Sequence, residues 1–183
     1  MNYNNAGGCR VCSLFVGAGL EVSQELKWLT PQQYSQAVDA LPLVSVDLVV
    51  VNPLGQVLLG LRRNAPAQNW WFTPGASVRK SEPFSHALER VAKWELGLQA
   101  EDIRGARLMG VWDHFYKDSA FSTEVSTHYV NLPHVLKLYG SLDLNALPLE
   151  QHSDWRWQDA HHAAIAEDVH PYARVYAQWV LDH

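Results

Sequence analysis

Residues 74–98 form a polar loop followed by a predicted helix that carries acidic side chains. Apolar residues between positions 84 and 91 recur at the three- and four-residue spacing of a helix face that packs on a core. Glu95 continues that face, so the pattern directs a carboxylate towards the interior. An unpaired buried carboxylate costs several kcal/mol. The pattern therefore predicts a cation, an arginine or a metal beside Glu95, or else a helix-edge position at which Glu95 reaches water.

Signals at both ends define this helix. Ser81 is a suitable N-cap, and Pro83 falls in the first turn, where its missing N–H costs little. Gly97 is a typical C-terminal stop, so a helix of about four turns is expected.

The remaining elements predict a sheet and two further helices. Thr30 caps a short helix with Pro31 at its first position, and the runs 43–51 and 56–62 flank a turn and predict a β-hairpin. The other predicted elements are a short strand at 70–73, paired strands at 107–115 and 126–136, a short strand at 155–157 and a terminal amphipathic helix at 170–181. Strands and helices mixed in this order indicate an α+β or α/β/α arrangement.

Length and charge limit the classes of function. A chain of 183 residues is expected to form one domain with a substantial core. The net charge of -5 gives no reason to expect a nucleic-acid partner, because a polyanion needs a clustered positive surface. No run approaches the roughly eighteen apolar residues that span a bilayer, so no membrane partner is expected.

Cysteine usage points to a reducing compartment. Cys9 and Cys12 form a lone CxxC pair without two further zinc ligands nearby, so an unstructured thiol pair is expected. Two cysteines in the whole chain suit the cytoplasm. Residues 11–20 are apolar but short and lack a clear small-residue cleavage site, so a signal peptide is not favoured.

Residues 74–98 resemble the Nudix box, whose family pattern is G-x5-E-x7-R-E-U-x-E-E-x-G-U with U aliphatic. The residues that match in register are Glu82, Arg90, Glu95, Gly97 and Leu98. The departures are Ala76 at the first glycine, Val91 at the glutamate after the arginine, and Trp94 at the first of the paired glutamates. Nudix enzymes use their glutamates to hold several magnesium ions and to activate water against a pyrophosphate phosphorus. With Glu95 retained and two carboxylates missing, that chemistry is expected to be impaired here.

The chain resembles one branch of the superfamily more closely, the GDP-mannose mannosyl hydrolases, which cleave the sugar C–O bond. The blocks that carry this resemblance are 41–50, 58–75, 110–116, 126–132 and 149–157. It begins near residue 27, which implies an N-terminal extension at 1–26, or a start codon assigned too early, and a Nudix domain at 27–183. The fold it implies is a Nudix-type α/β/α sandwich with a mixed β-sheet.

The resemblance implies one Mg²⁺ per subunit, with Mn²⁺ as a substitute. Its ligands are expected to be Glu95, Gln151 and the backbone carbonyl of Ala76. Magnesium keeps several waters and binds few protein oxygens, so a sparse site is chemically sensible. An alanine at position 76 would resist a turn with positive φ, which leaves the loop geometry open.

Catalytic roles follow from the same resemblance. His152 matches the family's general base, and Arg62 matches an arginine that binds the diphosphate. Tyr129 matches a tyrosine that supports the departing group. The chain has nine histidines, and without the resemblance His152 would be expected on the surface. Tyr129 would likewise be expected to be a half-buried residue of the sheet. Strand alternation places Arg62 and Arg63 on opposite faces, so the adjacent Arg63 is the candidate for the solvated one.

Substrate recognition is assigned in the same way. Asp47 lies in an otherwise apolar strand and matches an aspartate near the hexose, with a structural aspartate as the alternative. His114 is a further pocket residue. Trp28 and Tyr34 stand where relatives carry aromatic residues for guanine, although both are also suited to packing the first helix on the sheet.

One cation of the family is absent from its usual place, because Ser77 replaces an arginine that faces the phosphates. Arg79 and Lys80 are candidates to substitute, although neither is in register. Loss of a charged hydrogen bond would cost about 1–3 kcal/mol. Arg90 is expected to be structural and to brace the loop through Glu82.

These features predict a magnesium-dependent hydrolase of a GDP-sugar, GDP-mannose first and GDP-glucose next, with a nucleotide sugar as its ligand. The rival interpretations are a Nudix pyrophosphohydrolase that cleaves a P–O bond in another nucleoside diphosphate derivative, and a non-catalytic nucleotide-sugar binding module. A homodimer is expected by family analogy.

Overall fold

The computed structural model describes residues 29–183. The predicted extension, the cysteine pair and Trp28 lie outside the described residues. Among the helices of residues 29–183, none combines the length and the apolar character that crossing a bilayer requires.

Four helices and eight strands make up the described part of the chain. In order they are α1 (Pro31–Ala40), β1 (Leu43–Val51), β2 (Gln56–Arg62), β3 (Trp71–Phe72), β4 (Gly75–Ser77), α2 (Phe84–Leu96), β5 (Arg107–Leu108), β6 (Trp112–Tyr116), β7 (Thr127–Lys137), β8 (His152–Asp159), α3 (Ala160–Ile165) and α4 (Pro171–Asp182), with a 3-10 turn at Leu144–Ala146.

The strand β1 lies in the middle of a mixed sheet. It pairs in parallel with β7 along its whole length and antiparallel with β2 and β4. β8 pairs with the far side of β2, while β5 and β6 both pair with β7. The long parallel pair inside an otherwise antiparallel sheet confirms the predicted mixed sheet of an α+β fold.

Helices cover both faces of the sheet, because successive residues of β1 point to opposite sides. Val46 and Leu48 pack in a core that includes the apolar face of α2. Val49 and Val51 pack in a second core with α3 and α4. Asp47 lies two residues before Val49 and points to the same side of the sheet, so its carboxylate faces α4.

Several predicted elements are confirmed. The hydroxyl of Thr30 accepts a hydrogen bond from the Gln33 N–H at 3.2 Å, and the Gln33 side chain accepts one from the Thr30 N–H, so α1 begins with a capping box. The hairpin of β1 and β2 has the predicted bounds. The helix α2 ends at Gly97, which has a left-handed backbone with φ 67°.

The predicted start of α2 is wrong. Ser81 is not the N-cap: it has φ 64°, and the helix begins at Phe84 with Pro83 at the cap position and no side-chain cap bond. A proline disfavours helical geometry in the residue before it, so Glu82 cannot join the helix. The helix therefore starts after the proline, and Glu82 remains in the loop.

Other elements differ from the predictions as well, and the stretch predicted as a loop after residue 74 contains the short strand β4. The strand predicted at 107–115 is two strands, interrupted near Gly110, whose φ of 149° is open mainly to glycine. The last strand begins at His152 and not at 155, because it pairs with β2 as far as Arg62. The short helix α3 was not predicted, and Asp159 caps it through hydrogen bonds from the first N–H groups.

Candidate active site

A cleft of about 790 Å³ opens where β2, β4 and α2 meet the segment that leads into β8. A smaller cavity of about 70 Å³ adjoins it, and Arg62, Gly75 and Tyr129 are among the residues that line both. The predicted site residues in the cleft are Tyr34, Arg62, Ala76, Glu95, Tyr129, Gln151 and His152. Asp47 and His114 line the smaller cavity, which we call the inner cavity. Every predicted site residue except the undescribed Trp28 thus lies on one connected surface.

Glu95 lies in the interior and not at the helix edge. It belongs to the buried face of α2 and is 8 % exposed. Its Oε2 atom has no hydrogen-bond partner in the described structure. Burial raises the pKa of Glu95 to about 8, although the charge of Arg62 and the N–H of Gly75 oppose that rise. The carboxyl group is therefore buried, poorly compensated and directed at the cleft.

His152 is fully buried, so its alternative as a surface histidine is wrong. Its ring packs against Trp155 and over Gly60, where an added Cβ would clash with the imidazole. Neither ring nitrogen has a hydrogen-bond partner in the described structure. Burial, reinforced by the charge of Arg62, lowers the pKa of His152 to about 3, so the imidazole is neutral near pH 7.

Glu95 and His152 form a pair of unsatisfied groups. Their Oε2 and Nδ1 atoms are 3.6 Å apart, beyond a good hydrogen bond. Leaving a buried polar atom without a partner costs about 1–3 kcal/mol, so such atoms call for an explanation. A polar ligand in the cleft would supply the missing partners.

The oxygen atoms around Glu95 fit a sparse magnesium site. Glu95, Gln151 and Ala76 line one cleft, and hard oxygen ligands are those that Mg²⁺ prefers. The register of β4 on β1 directs the Ala76 carbonyl at Val46, whereas the backbone of Gly75 faces Glu95, so the backbone ligand predicted at Ala76 moves to its neighbour. Residues 29–183 contain no cluster of three or more His, Cys, Asp or Glu side chains that could hold a metal. Glu95 and Glu150 are the carboxylates among the described residues that line the cleft, and of these Glu95 is the buried one.

Position 76 tolerates alanine because it lies in a strand. Ala76 pairs with Val46 in β4 and is absent from the positive-φ residues of the described chain. Glycine is required at the neighbouring position instead. A Cβ on Gly75 would clash with the Asp47 carboxylate and lie 2.9 Å from the Val46 carbonyl oxygen. The predicted conflict at Ala76 does not arise.

Three half-buried arginines line the cleft, namely Arg62, Arg79 and Arg90. Arg62 donates from Nε to the Pro66 carbonyl at 3.0 Å, whereas Arg63 is exposed, so Arg63 is the solvated member of the pair. Arg79 also lines the cleft, and its guanidinium lies 4.9 Å from the centroid of the Trp94 ring. Lys80 is exposed and is not among the lining residues.

The predicted brace between Arg90 and Glu82 is present. Arg90 donates to both carboxylate oxygens at 2.7 and 2.8 Å and to the Ser77 carbonyl at 2.9 Å. Glu82 also accepts the Arg79 N–H at 2.8 Å. Burial alone would raise the pKa of Glu82, but these hydrogen bonds and the two arginine charges hold it below its ordinary 4.5. The ion pair fixes the loop that carries Arg79.

The inner cavity contains a hydrogen-bonded polar network. The Tyr176 hydroxyl donates to Asp47 Oδ2 at 2.8 Å and lies 3.1 Å from His114 Nε2. Asn131 hydrogen-bonds Asp47 and donates to the Ser45 hydroxyl at 2.9 Å. Burial raises the pKa of Asp47 to about 6, and the bonds from Tyr176 and Asn131 oppose that rise. Asp47 therefore has the buried, hydrogen-bonded position of a structural aspartate and also lines a cavity.

Sequence reasoning missed three residues near the site. Tyr176 and Asn131 belong to the network, and Phe121 lines the cleft and contacts Tyr34 edge-on at 5.2 Å. The sequence contains a hint of Asn131, because it is a polar residue within a strand that pairs with the apolar strand β1. Tyr176 also had one, because Tyr172 precedes it by four residues and both lie on one helix face.

Comparison with known proteins identifies relatives of this chain. The family model described as NUDIX domain matches residues 41–179. The low-salt glycan biosynthesis protein Agl8 of Haloferax volcanii is 37% identical over 145 residues, which cover 79% of this chain and 85% of that protein.

Solved structures share the fold. The MutT protein of Methanosarcina mazei Go1 has a TM-score of 0.61 at 16% identity, covering 78% of this chain and 96% of that one. The NUDIX domain of Shewanella oneidensis NrtR, solved with ADP ribose, has a TM-score of 0.61 at 14% identity, covering 84% of this chain and 98% of that one. At these identities the likeness concerns the fold alone.

Proposed function

The chain belongs to the Nudix hydrolase family, and from that premise we propose that it hydrolyses a GDP-sugar, GDP-mannose or GDP-glucose, to GDP and free hexose. Water attacks the anomeric carbon, the C1–O bond breaks, and its electron pair leaves with GDP. His152 accepts the proton that the water loses. The name of the archaeal relative, a glycan biosynthesis protein, agrees with a sugar-bearing substrate.

The observation that carries this proposal is the unsatisfied pair of Glu95 and His152 in one cleft. A neutral imidazole without a protein partner has a free lone pair for a proton from a bound water. With a pKa of about 3 it is a weak base in the free protein, and the negative charge of a bound diphosphate would raise that pKa towards the range of an effective general base. Its ring is held in place by Trp155 and Gly60, so little reorganisation is needed on binding.

Arg62 and Arg79 are assigned to the leaving diphosphate. Guanidinium groups donate paired hydrogen bonds to phosphate oxygens, and the partly enclosed cleft strengthens the attraction. Ser77 and Arg79 both line the cleft, and Val78 between them still hydrogen-bonds to β1. Arg79 therefore takes the role that the missing arginine has in other members of the branch.

The hexose and the guanine nucleobase of the substrate are assigned to opposite ends of the same surface. Asp47 and His114 in the inner cavity bind hexose hydroxyls through a carboxylate and an imidazole. At the other end, Tyr34, Phe121 and Trp94 present aromatic rings to the cleft, and aromatic rings stack on nucleobases. Trp94 is 54 % exposed, as a stacking residue must be before its ligand arrives.

One Mg²⁺, or Mn²⁺ in its place, belongs to the proposal, held by Glu95, Gln151 and the backbone carbonyl of Gly75, which faces the cleft where that of Ala76 faces β1. When bound, such an ion neutralises charge on the departing diphosphate. Gln151 accepts a 3.2 Å hydrogen bond from Asn64 and would exchange that partner on binding. A homodimer and a cytoplasmic location complete the proposal.

The test is a substrate panel of GDP-mannose, GDP-glucose, GDP-fucose and nucleoside triphosphates, assayed with Mg²⁺ and with EDTA. The proposal expects GDP and free hexose from the first two, and their loss in EDTA. GMP and hexose 1-phosphate would instead indicate cleavage of the pyrophosphate bond. Magnesium-dependent binding without product over hours would indicate a binding module. The His152→Ala variant is the matched control for a contaminating hydrolase.

A further inference from the structure

Tyr176 joins the two residues assigned to the sugar. Its side chain is fully buried, and its hydroxyl lies 2.8 Å from Asp47 Oδ2 and 3.1 Å from His114 Nε2. Asp47 comes from β1, His114 from β6 and Tyr176 from α4, the last helix of the chain. One phenol oxygen therefore ties three separate elements together behind the inner cavity.

The chemistry of these three groups fixes where the protons lie. The phenol has one proton, and the charged Asp47 carboxylate at 2.8 Å is its stronger acceptor. The phenol oxygen then accepts from His114, which requires the proton of that ring to be on Nε2. Burial lowers the pKa of His114 to about 3, in keeping with a neutral ring. Its Nδ1 atom is left as a hydrogen-bond acceptor.

A second residue of α4 holds the same imidazole. Tyr172 lies one turn before Tyr176, and its ring stacks on His114 at 3.8 Å between centroids with a 4° angle between planes. The Tyr172 hydroxyl accepts the Phe115 N–H at 2.7 Å, so the stacking ring is itself anchored to β6. Residues of α4 thus restrain both the plane and the hydrogen bonding of His114.

We propose that Tyr176 is a positioning residue of the sugar site, which orients the Asp47 carboxylate and holds His114 as its Nε2–H tautomer so that both present fixed acceptors to hexose hydroxyls. This inference rests on the proposed function for the identity of the ligand. The arrangement of the three groups does not depend on it.

The kinetic test is Tyr176→Phe, which removes one oxygen and keeps the ring. We expect kcat/KM for GDP-mannose to fall about tenfold to a hundredfold, the effect of losing a hydrogen bond to a charged group. The Kd for GDP alone, measured by calorimetry, is expected to stay the same, because Tyr176 does not line the cleft. Tyr139→Phe, at a residue 87 % exposed, is the matched control and keeps full activity.

The spectroscopic test needs no turnover. In ¹⁵N-histidine protein, with the signal assigned by its loss in His114→Asn, we expect His114 to be the Nε2–H tautomer in the wild type and a tautomer mixture in Tyr176→Phe. If no GDP-sugar is hydrolysed, the proposed function fails while this measurement still decides the positioning role. An Nδ1–H or doubly protonated His114 in the wild type, or an unchanged tautomer and unchanged kcat/KM in the variant, overturns the inference.

Discussion

The cleft and the inner cavity treat buried polar groups in opposite ways. In the cleft, Glu95 and His152 are buried with unsatisfied atoms 3.6 Å apart. In the inner cavity, Asp47 is equally buried, yet Tyr176 and Asn131 satisfy it. Satisfied networks stabilise a fold and unsatisfied groups weaken it. Under the proposed function, this difference distinguishes the region assigned to the reaction from the region assigned to sugar recognition.

The most sensitive test of this difference between the two regions is to change each buried acid, Glu95 and Asp47, to its amide. Glu95→Gln is expected to lower kcat/KM at least about a hundredfold, because it removes the carboxylate that would bind the Mg²⁺ ion, and the ion would neutralise the departing diphosphate. It is expected to change Tm little near pH 7, because burial raises the pKa of Glu95 to about 8 and the group is already mostly neutral in the free protein. Enzyme assays and thermal unfolding measure the two effects.

Asp47→Asn is the matched counterpart. Here we expect the free energy of unfolding to fall by about 1–3 kcal/mol, since the Tyr176 hydroxyl and the Asn131 amide lose a charged acceptor. Denaturant unfolding gives the value. Two variants with the same change in stability would contradict the distinction between the two regions.

Arg79 is one of the two arginines assigned to the leaving diphosphate in the cleft. Arg79→Ala is expected to reduce kcat/KM by about 5- to 150-fold, which is the 1–3 kcal/mol of a charged hydrogen bond. Lys80→Ala removes the same charge one residue away from an exposed position, and activity should stay within about twofold. Equal losses in both variants would mean that only the general charge of the loop matters.

The brace beneath Arg79 gives a pH-dependent prediction. The pKa of Glu82 is held below 4.5 in the folded chain, so its ion pair with Arg90 stabilises the fold above pH 4.5 and that stability is lost as the pH falls through the folded value. Glu82→Gln should cost about 2 kcal/mol at pH 7 and almost nothing well below pH 4. Urea unfolding across pH measures it, and a difference that persists at low pH would refute the ionic origin.

Position 76 carries the smallest expected effect. Ala76→Gly should change activity by less than about twofold, because the strand geometry already suits alanine. Gly75→Ala is the contrasting variant, and it should disrupt the inner cavity, where the new Cβ meets the Asp47 carboxylate. A large gain of activity in Ala76→Gly would restore the idea of a strained loop.

The sequence predicts these two regions unequally, for physical reasons. The burial of Glu95 follows from helical periodicity, which is local. The burial of His152 depends on pairing between β8 and β2, which no local pattern reveals, so the sequence predicts a strand that begins at 155, three residues too late. Ser81 has the residue type of a good cap, but Pro83 disfavours helical geometry at Glu82, so a helix cannot begin from Ser81.

Contacts between distant segments account for the rest. The spacing of Tyr172 and Tyr176 indicates a helix face, but only the folded chain shows that this face meets Asp47, 129 positions from Tyr176. Likewise the contact of Phe121 with Tyr34 joins a loop to the first helix. Polar residues within apolar strands, such as Asp47 and Asn131, were the one local signal of the inner cavity.

The most direct test of the central claim is hydrolysis of GDP-mannose in ¹⁸O-labelled water with Mg²⁺, comparing the wild type with His152→Ala. Water attack at the anomeric carbon predicts that the label appears in the free hexose, and that its release falls by about 10²–10⁴ in the variant, the usual contribution of a general base. Label in the phosphate of GDP or GMP, or equal hexose release by both proteins, would contradict the account.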